Sequence, residues 1–271
     1  MEATITERKV EQPLSDTPLL ALKGYSKSFG PVDALKDVDF QVRAGEVVGL
    51  LGDNGAGKST LVKAIAGVQP ADVGDTQFDG RDVSLTTPQA ATGLGIATVY
   101  QDLALCENLD VVANLFLGQE VADNARVLDE AAMEQKAWEL LGSLGVTTIR
   151  SVRTEVERLS GGQRQAVAIA RSLLGEPKLV MLDEPTAALG VVQTKQILEL
   201  IKRLRDRGLG VIVISHNLAD VFQVADRVTV LRLGRVAGNY DIRESSQEQI
   251  VAAITGAEFG SDERPTEETP L

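Results

Sequence analysis

Cysteine, histidine and tryptophan are almost missing from this chain, with one residue of each among 271. A single cysteine, Cys106, cannot form a disulfide within the chain, which favours a reducing compartment and a small core side chain. No apolar run approaches the ~20 residues that cross a bilayer, and residues 1–16 lack the apolar segment of a signal peptide. We therefore expect a cytoplasmic protein that reaches a membrane only through other proteins.

Positive charge is also scarce, because 39 acidic residues outnumber 27 basic ones and give a formal net charge of −12. Proteins that bind DNA or RNA need clustered lysine and arginine to neutralise phosphates. The composition therefore argues against nucleic acid as the main partner, although a local basic pocket is compatible with it.

Strand-like and helix-like segments alternate along most of the chain. This alternation predicts an α/β fold with a mostly parallel sheet, which binds ligands at the carboxyl ends of its strands. The predicted strands are 19–22, 38–42, 47–51, 96–100, 179–182, 211–214 and 228–231, with a hairpin at 76–83.

Three segments depart from this alternation. Between about 102 and 158 the strand signals disappear and helical spacing remains at 111–117 and 130–144, which predicts a helical insert. Residues 1–18 and the acidic segment 258–271 have the composition of disordered tails. The sequence therefore predicts one domain at 19–257 with a tail at each end.

The most specific motif is GDNGAGKST, which matches the phosphate-binding pattern GxxxxGK[ST] between a predicted strand and a predicted helix. Its glycines let backbone amides turn toward phosphates, and the helix start adds partial positive charge. Lys58 is expected to bridge the β- and γ-phosphates, Ser59 to bind Mg²⁺, and Thr60 to reach the α-phosphate. The predicted nucleotide-binding residues are Gly52, Asp53, Asn54, Gly55, Ala56, Gly57, Lys58, Ser59 and Thr60.

Polar residues also follow two other predicted strands. Asp183 ends one of them and can hold Mg²⁺ through its water shell, while the next residue, Glu184, points elsewhere and suits a base for an attacking water. His216 follows residues 211–215, and parallel-sheet geometry puts it on the same edge as Asp183. A polar turn and a surface histidine are the alternative interpretations.

A second glycine-rich segment, LSGGQ at 159–163, offers backbone amides, a hydroxyl and a helix start, but no lysine. Ser160 can cap the helix that begins at Gly161 and so present amides to an anion. The two glycine-rich segments are not expected to serve the same nucleotide. They suggest two half-sites that are completed when two such chains meet face to face.

These motifs occur in a specific order: 52–59, Gln101, 159–163, Asp183, Glu184 and His216. The order resembles the ATP-binding cassette of ABC transporters over about residues 19–240, and LSGGQ is its most diagnostic piece. The resemblance implies a P-loop NTPase fold of the ABC type, with a mostly parallel sheet, an antiparallel β subdomain and a helical insert. It implies ATP as the nucleotide and Mg²⁺ as the metal.

The resemblance also implies residue roles. Ser160, Gly161, Gly162 and Gln163 would cap the γ-phosphate held by a second ABC subunit, with a homodimer expected. Gln101 would touch Mg²⁺ and the attacking water, and Phe29 would stack on adenine, with Tyr25 a weaker candidate and a core role for Phe29 the alternative. The implied catalytic residues are Glu184, His216, Gln101 and Lys58, and the implied metal-binding residues are Ser59, Gln101 and Asp183.

Within the family, residues 100–118, 163–171 and 214–227 look like those of monosaccharide-importer ATPases. This implies integral membrane permease subunits as partners, an extracytoplasmic sugar-binding protein as an indirect one, and a peripheral location on the inner face of the membrane. Leu103, Leu105 and Leu109 could form an apolar groove for a partner helix, or they could pack within the insert.

One position departs from the family pattern, because Gly190 stands where an aspartate that crosses the dimer seam is usual. Glycine cannot make a carboxylate's hydrogen bonds, so hydrolysis could be slower. A nucleotide-binding scaffold with weak hydrolysis therefore stays open as an alternative. A second alternative is a soluble ABC-type ATPase that is not tied to a transporter, because proteins outside transport reuse this cassette.

Overall fold

The computed structural model describes residues 17–122 and 127–257, which form two β-sheets and eight α-helices. Most of the two predicted tails, residues 1–16 and 258–271, lies outside the described residues. Within the described ranges, no helix is both long enough and apolar enough to cross a bilayer.

Ten strands and eight α-helices lie within the described residues. The strands are β1 Leu20–Phe29, β2 Val32–Val42, β3 Val47–Leu51, β4 Val73–Phe78, β5 Arg81–Val83, β6 Ile96–Val99, β7 Leu179–Asp183, β8 Gly210–Ile214, β9 Arg227–Arg232 and β10 Arg235–Asp241. The helices are α1 Lys58–Ile65, α2 Pro88–Gly93, α3 Val111–Phe116, α4 Glu130–Ser143, α5 Gly161–Leu173, α6 Val191–Asp206, α7 Leu218–Val224 and α8 Gln247–Thr255.

The larger sheet has the strand order β10-β9-β3-β8-β7-β6. Its strands β9, β3, β8, β7 and β6 are parallel, and β10 pairs antiparallel with β9 at one edge. The central parallel strands β3 and β8 are apolar along their length because helices or a second sheet cover both faces, and every residue of the two strands is buried. The predicted α/β fold with a mostly parallel sheet is confirmed.

The smaller sheet is antiparallel and has the order β2-β1-β4-β5. Its hairpin turns at Asp79 and Gly80, whose φ angles are +52° and +73°. Two successive positive φ angles characterise the tight turn that matches strand twist, and the Asp-Gly pair favours them. The hairpin and the antiparallel β subdomain agree with the sequence-based predictions.

The larger sheet separates two apolar cores, and side chains of β3 alternate between them. Val48 and Leu50 pack on the side of α1 and the antiparallel sheet, whereas Val47 and Leu51 pack on the side of α3, α4, α5 and α6. This alternation follows from the two-residue period of a strand. Residues 102–122 and 127–158 contain α3, α4, a 3₁₀ turn at Val156–Arg158 and only isolated β-bridges.

A buried ion pair joins the start of β3 to β9. The carboxylate of Glu46 is 2% exposed and accepts the Nε–H of Arg227 at 3.0 Å and the Arg43 backbone N–H at 2.7 Å. We expect Arg227→Met to lower the free energy of unfolding by about 3 kcal/mol, because it leaves a buried carboxylate without its main partner. Urea unfolding followed by circular dichroism would measure the change.

The control for this prediction is the double variant Glu46→Gln with Arg227→Met. It also removes the buried, unpaired negative charge of Glu46, so it should recover part of the lost free energy of unfolding. An Arg227→Met variant as stable as the wild type would contradict the assignment of Arg227 as the partner that compensates Glu46.

Candidate nucleotide site

The predicted site residues follow the carboxyl ends of four neighbouring parallel strands. Gly52 follows β3, Asp183 ends β7, and His216 lies two residues after β8. Gln101 lies two residues after β6, whose last residue, Val99, is the register partner of Leu182. The parallel topology therefore brings segments that are far apart in sequence to one sheet edge.

The loop after β3 requires glycine at positions where the backbone approaches other chain segments. Gly52 has φ +147°, and a Cβ there would lie 2.2 Å from the carbonyl oxygen of Leu231. Gly57 has φ +107°, and a Cβ there would lie 2.7 Å from the carbonyl oxygen of Ala34. Since Gly57 precedes α1 and has no side chain to cap it, the first amides of that helix remain available for an anion.

Lys58 folds back across this loop. Its Nζ donates to the carbonyl oxygens of Gly52 at 2.7 Å and Asp53 at 3.0 Å. Burial lowers the pKa of Lys58, while the negative charges of Glu184, Asp53 and Asp183 oppose that shift. The ammonium group is therefore inside the loop and within electrostatic range of both acids that follow β7.

Asp183 and Glu184 have different surroundings. Burial raises the pKa of the half-buried Asp183, the neighbouring Glu184 raises it further, and Lys58 and Lys63 oppose the change. A cation between these groups would remove that repulsion, which is the electrostatic setting of a Mg²⁺ site.

Glu184 is held in place by the strand beside it. Its φ is +50°, and its backbone N–H donates to the carbonyl oxygen of Ile214 at 2.8 Å. Its side chain, 15% exposed, has Oε1 2.8 Å from His216 Nδ1 and accepts a long 3.5 Å bond from Ser215. This φ is unusual for a residue with a side chain, and together with the two contacts it aims the carboxylate along the sheet edge.

The segment after Gln101 is anchored to helices that sequence reasoning did not connect with it. Arg171, near the end of α5, donates to the carbonyl oxygens of Leu103 at 3.0 Å and Ala104 at 2.9 Å. Asn114 in α3 is fully buried and bonds the backbone of Cys106 through both ends of its amide, at 2.7 and 2.9 Å. An asparagine within the apolar run VVANLF is a signal that could have been noticed.

Packing and electrostatics also locate the residues on both sides of Gln101. Leu103 and Leu105 pack partly against the core on the helical side of the sheet. Tyr100 lies close enough to Asp183 for that negative charge to add to the burial that raises its pKa. Gln101, the next residue, is exposed at the same edge.

The LSGGQ segment is placed against the start of α6. Ser160 is exposed and caps α5: its Oγ accepts the Gln163 N–H at 3.3 Å, and its own N–H donates to Gln163 Oε1 at 2.9 Å. A Cβ on Gly161 would lie 3.1 Å from Leu189, and one on Gly162 would lie 2.9 Å from Gln193. Gly162 thus permits close packing on α6 and Gly161 on Leu189 just before it, while Ser160 faces solvent.

The two aromatic candidates for a base-stacking platform differ in exposure. Phe29 ends β1 and is 44% exposed, which is unlike a core residue. Tyr25 is 4% exposed, its hydroxyl is hydrogen-bonded to Thr76, and burial raises its pKa. Tyr25 is therefore a core side chain, and the weaker stacking prediction made for it is wrong.

Comparison with known families agrees with this geometry. The model of the ABC transporter family matches residues 35–187, which is more than half of the chain. The chain belongs to the ABC transporter family. Its members are ATPases, and we therefore interpret the phosphate loop, the two acids and LSGGQ as parts of an ABC-type cassette.

Two curated relatives and one solved structure illustrate the similarity. The chain is 43% identical over 250 residues to the fructose import ATP-binding protein FrcA of Rhizobium meliloti, with 90% of this chain and 96% of FrcA covered. It is 45% identical over 242 residues to the xylose/arabinose import ATP-binding protein XylG of Sulfolobus acidocaldarius, covering 89% and 96%. The dimeric post-hydrolysis state of the cassette MJ0796, bound to ADP and Pi, superposes with a TM-score of 0.68 at 27% identity, covering 83% and 100%.

The ABC cassette of this chain fits a nucleoside triphosphate with its metal. The loop depends on Gly52 and Gly57, where a Cβ would clash with neighbouring backbone, and the Lys58 ammonium bonds to the carbonyl oxygen of Gly52 within it. The hydroxyl of Ser59 is exposed in the first turn of α1, and the Asp183 carboxylate lies at the same edge. Hydroxyl and carboxylate oxygens, together with phosphate oxygens, are the ligands that Mg²⁺ prefers.

Gly190 takes a structural role in this ABC cassette. It is the residue before α6, and its N–H donates to Gln193 Oε1 at 3.2 Å. Val191 and Val192, which follow, are 88% and 72% exposed. The surface that follows Gly190, beside LSGGQ, is therefore apolar.

Proposed function

We propose that this chain is the ATP-hydrolysing subunit of an ABC importer that energises uptake of a monosaccharide. The proposal that the chain hydrolyses ATP rests on Lys58, Asp183 and Glu184, which lie together at one sheet edge. There the charge of each residue shifts the pKa of at least one of the others. The sugar-import part is supported by relatives named as import proteins for fructose and for xylose or arabinose.

In this proposal the phosphate loop binds ATP and its charge. Backbone amides of residues 52–60 cradle the phosphates, Lys58 bridges the β- and γ-phosphates, and Thr60 reaches the α-phosphate. Ser59, Gln101 and Asp183 would hold Mg²⁺, which would supply positive charge to the phosphate oxygens.

Glu184 then acts on the attacking water. Its carboxylate orients the water in line with the γ-phosphate, because the contacts with Ile214 and His216 fix its position. The same carboxylate accepts the proton that the water loses. His216 uses one ring nitrogen for Glu184, and the other remains for the terminal phosphoryl group.

The second half of each site comes from another chain. Ser160, Gly161, Gly162 and Gln163 cap the nucleotide of a second ABC subunit, most simply a second copy of this chain. Their position against α6, the exposure of Ser160 and the lack of a lysine support this arrangement.

The remaining partners are proposed from the same resemblance. Integral membrane permease subunits would hold the cassette at the inner face of the membrane, and a sugar-binding protein outside would deliver substrate to them. Opening and closing of the cassette pair would drive the permease between its two orientations.

The direct test is steady-state ATP hydrolysis by the purified chain, alone and with its permease. We expect phosphate release that requires Mg²⁺ and falls to background with excess EDTA, because the site holds ATP as its metal complex. EDTA-treated protein resupplied with Mg²⁺ is the control. Tight ATP binding without hydrolysis in the presence of the permease would instead favour a nucleotide-binding scaffold.

The transport part is tested in cells that lack this chain. Uptake of radiolabelled fructose, xylose, arabinose and ribose should be lost for at least one sugar and restored by the wild-type chain. Normal uptake of every monosaccharide would contradict the sugar-import part while leaving the ATPase assignment intact.

A further inference from the structure

A charged pair lies beside Phe29. The Nζ of Lys27 is 2.7 Å from Asp72 Oδ1 and 5.6 Å from the centroid of the Phe29 ring. Only 17% of the Lys27 side chain is exposed, so the ammonium is held near the ring rather than extended into water. A lysine ammonium within about 6 Å of a ring centroid is in the range of a cation–π interaction.

The same carboxylate also fixes the backbone that leads to the ring. Asp72 Oδ2 accepts the backbone N–H of Ser28 at 2.8 Å, and the Ser28 hydroxyl donates to Asp33 at 2.8 Å. The register between β1 and β2 shifts between Lys27 and Ser28. Such an irregularity changes the direction in which side chains point. Asp72 therefore fixes both the backbone near the end of β1 and the position of the Lys27 ammonium beside Phe29.

Asp72 remains charged in this arrangement. The hydrogen bond from Lys27, followed by that from the Ser28 backbone, lowers the pKa of the Asp72 carboxyl group. The ion pair is thus maintained at neutral pH, together with the position of Lys27.

We propose that Lys27 and Asp72 are positioning residues that hold Phe29 as a platform for the nucleotide base. Lys27 restrains the ring from one side, and the exposed part of the ring is left for a planar base such as adenine. This inference rests on the proposed function and adds to it the residues that prepare the base-binding surface. A ring already held in its binding orientation loses less freedom when the base arrives, which strengthens binding.

The test separates binding of the base from binding of the phosphates. ADP and inorganic tripolyphosphate are titrated into the wild type, Lys27→Met and Asp72→Asn by isothermal calorimetry. Methionine keeps the apolar stem of Lys27, and asparagine can still accept from Ser28 but no longer attracts the ammonium. We expect Lys27→Met to weaken ADP about two- to fivefold, Asp72→Asn to act in the same direction, and tripolyphosphate to bind unchanged.

Three further measurements distinguish positioning from a general structural effect. Lys27→Arg should restore ADP affinity, because the guanidinium keeps both the ion pair and the ring contact. Lys27→Met should raise KM for ATP and leave kcat unchanged. Lys178→Met is the charge-matched control, since Lys178 also forms an ion pair with an aspartate, Asp79, although a more exposed one, and it lies before β7, away from the carboxyl ends of the parallel strands.

The deciding experiment is a double-mutant cycle with Phe29→Ala. If Lys27 acts through the ring, Lys27→Met has no further effect on ADP affinity once the ring is removed. Additive effects, an unchanged ADP affinity in Lys27→Met, or an equal loss for tripolyphosphate would each overturn the inference. A wild-type chain that binds no ADP would overturn the proposed function and this inference with it, whereas failure of the variants alone overturns only the inference.

Discussion

Glu184→Gln should lower ATP turnover by about 10²- to 10⁴-fold while leaving ATP binding close to that of the wild type. Glutamine keeps the size of the side chain and can still contact His216, but it cannot accept a proton from water. Because ATP then persists, the variant should accumulate a closed dimer with ATP and Mg²⁺ that the wild type forms only transiently. Phosphate release and light scattering after gel filtration would measure the two effects.

Glu199→Gln is the matched control for this prediction. Glu199 lies on the exposed face of α6 and pairs with Lys202 at 2.9 Å, so the same loss of charge occurs away from the sheet edge. Its turnover should equal that of the wild type. Unchanged turnover in Glu184→Gln would refute the assignment of Glu184 as the base.

A mixture of two inactive variants should hydrolyse ATP if each site is shared between chains. Lys58→Met removes the loop ammonium, and Ser160→Glu places a negative charge where the signature would meet phosphate. Each homodimer has a defect in both of its sites, whereas a mixed dimer has one intact site. An equal mixture should regain at most about a quarter of wild-type activity, because half of its dimers are mixed and each has one working site.

Ser246→Glu is the control for the second variant. Ser246 caps α8 with the same pattern as Ser160, accepting the Gln249 N–H at 3.3 Å and donating to its side chain at 2.9 Å. It should keep full activity, which separates loss of a helix cap from loss of the phosphate contact. A mixture as inactive as its components, with mixed dimers demonstrated by tagged pull-down, would contradict the shared site.

The sequence predicted best those elements whose signals are local. The limits of β3 and the start of α5 were predicted to the residue, because a continuous apolar run and a serine cap mark them. β1 and β2 were predicted too short, since the end of β1 and the beginning of β2 are more polar and their pairing carries register shifts. β10 was missed because its alternating pattern is hardly apolar, although Ser246 and the terminal Gly256 could have revealed α8.

The candidate site likewise contains residues that local motifs reveal and residues that only tertiary packing brings together. Gly52, Lys58, Asp183 and Glu184 belong to short motifs, so one sequence was enough to predict that they come together. Arg171 meets Leu103, which is 68 residues away, and that contact depends on tertiary packing. The Asp72–Lys27 pair, 45 residues apart, was missed for the same reason.

Helix α5 connects the LSGGQ segment with the segment that follows Gln101. Its 13 residues make a rod about 20 Å long. LSGGQ lies at one end, and near the other end Arg171 holds the two carbonyls that follow Gln101. Because the helix is unbroken over these residues, we expect a tilt at the LSGGQ end to move the segment after Gln101 with it.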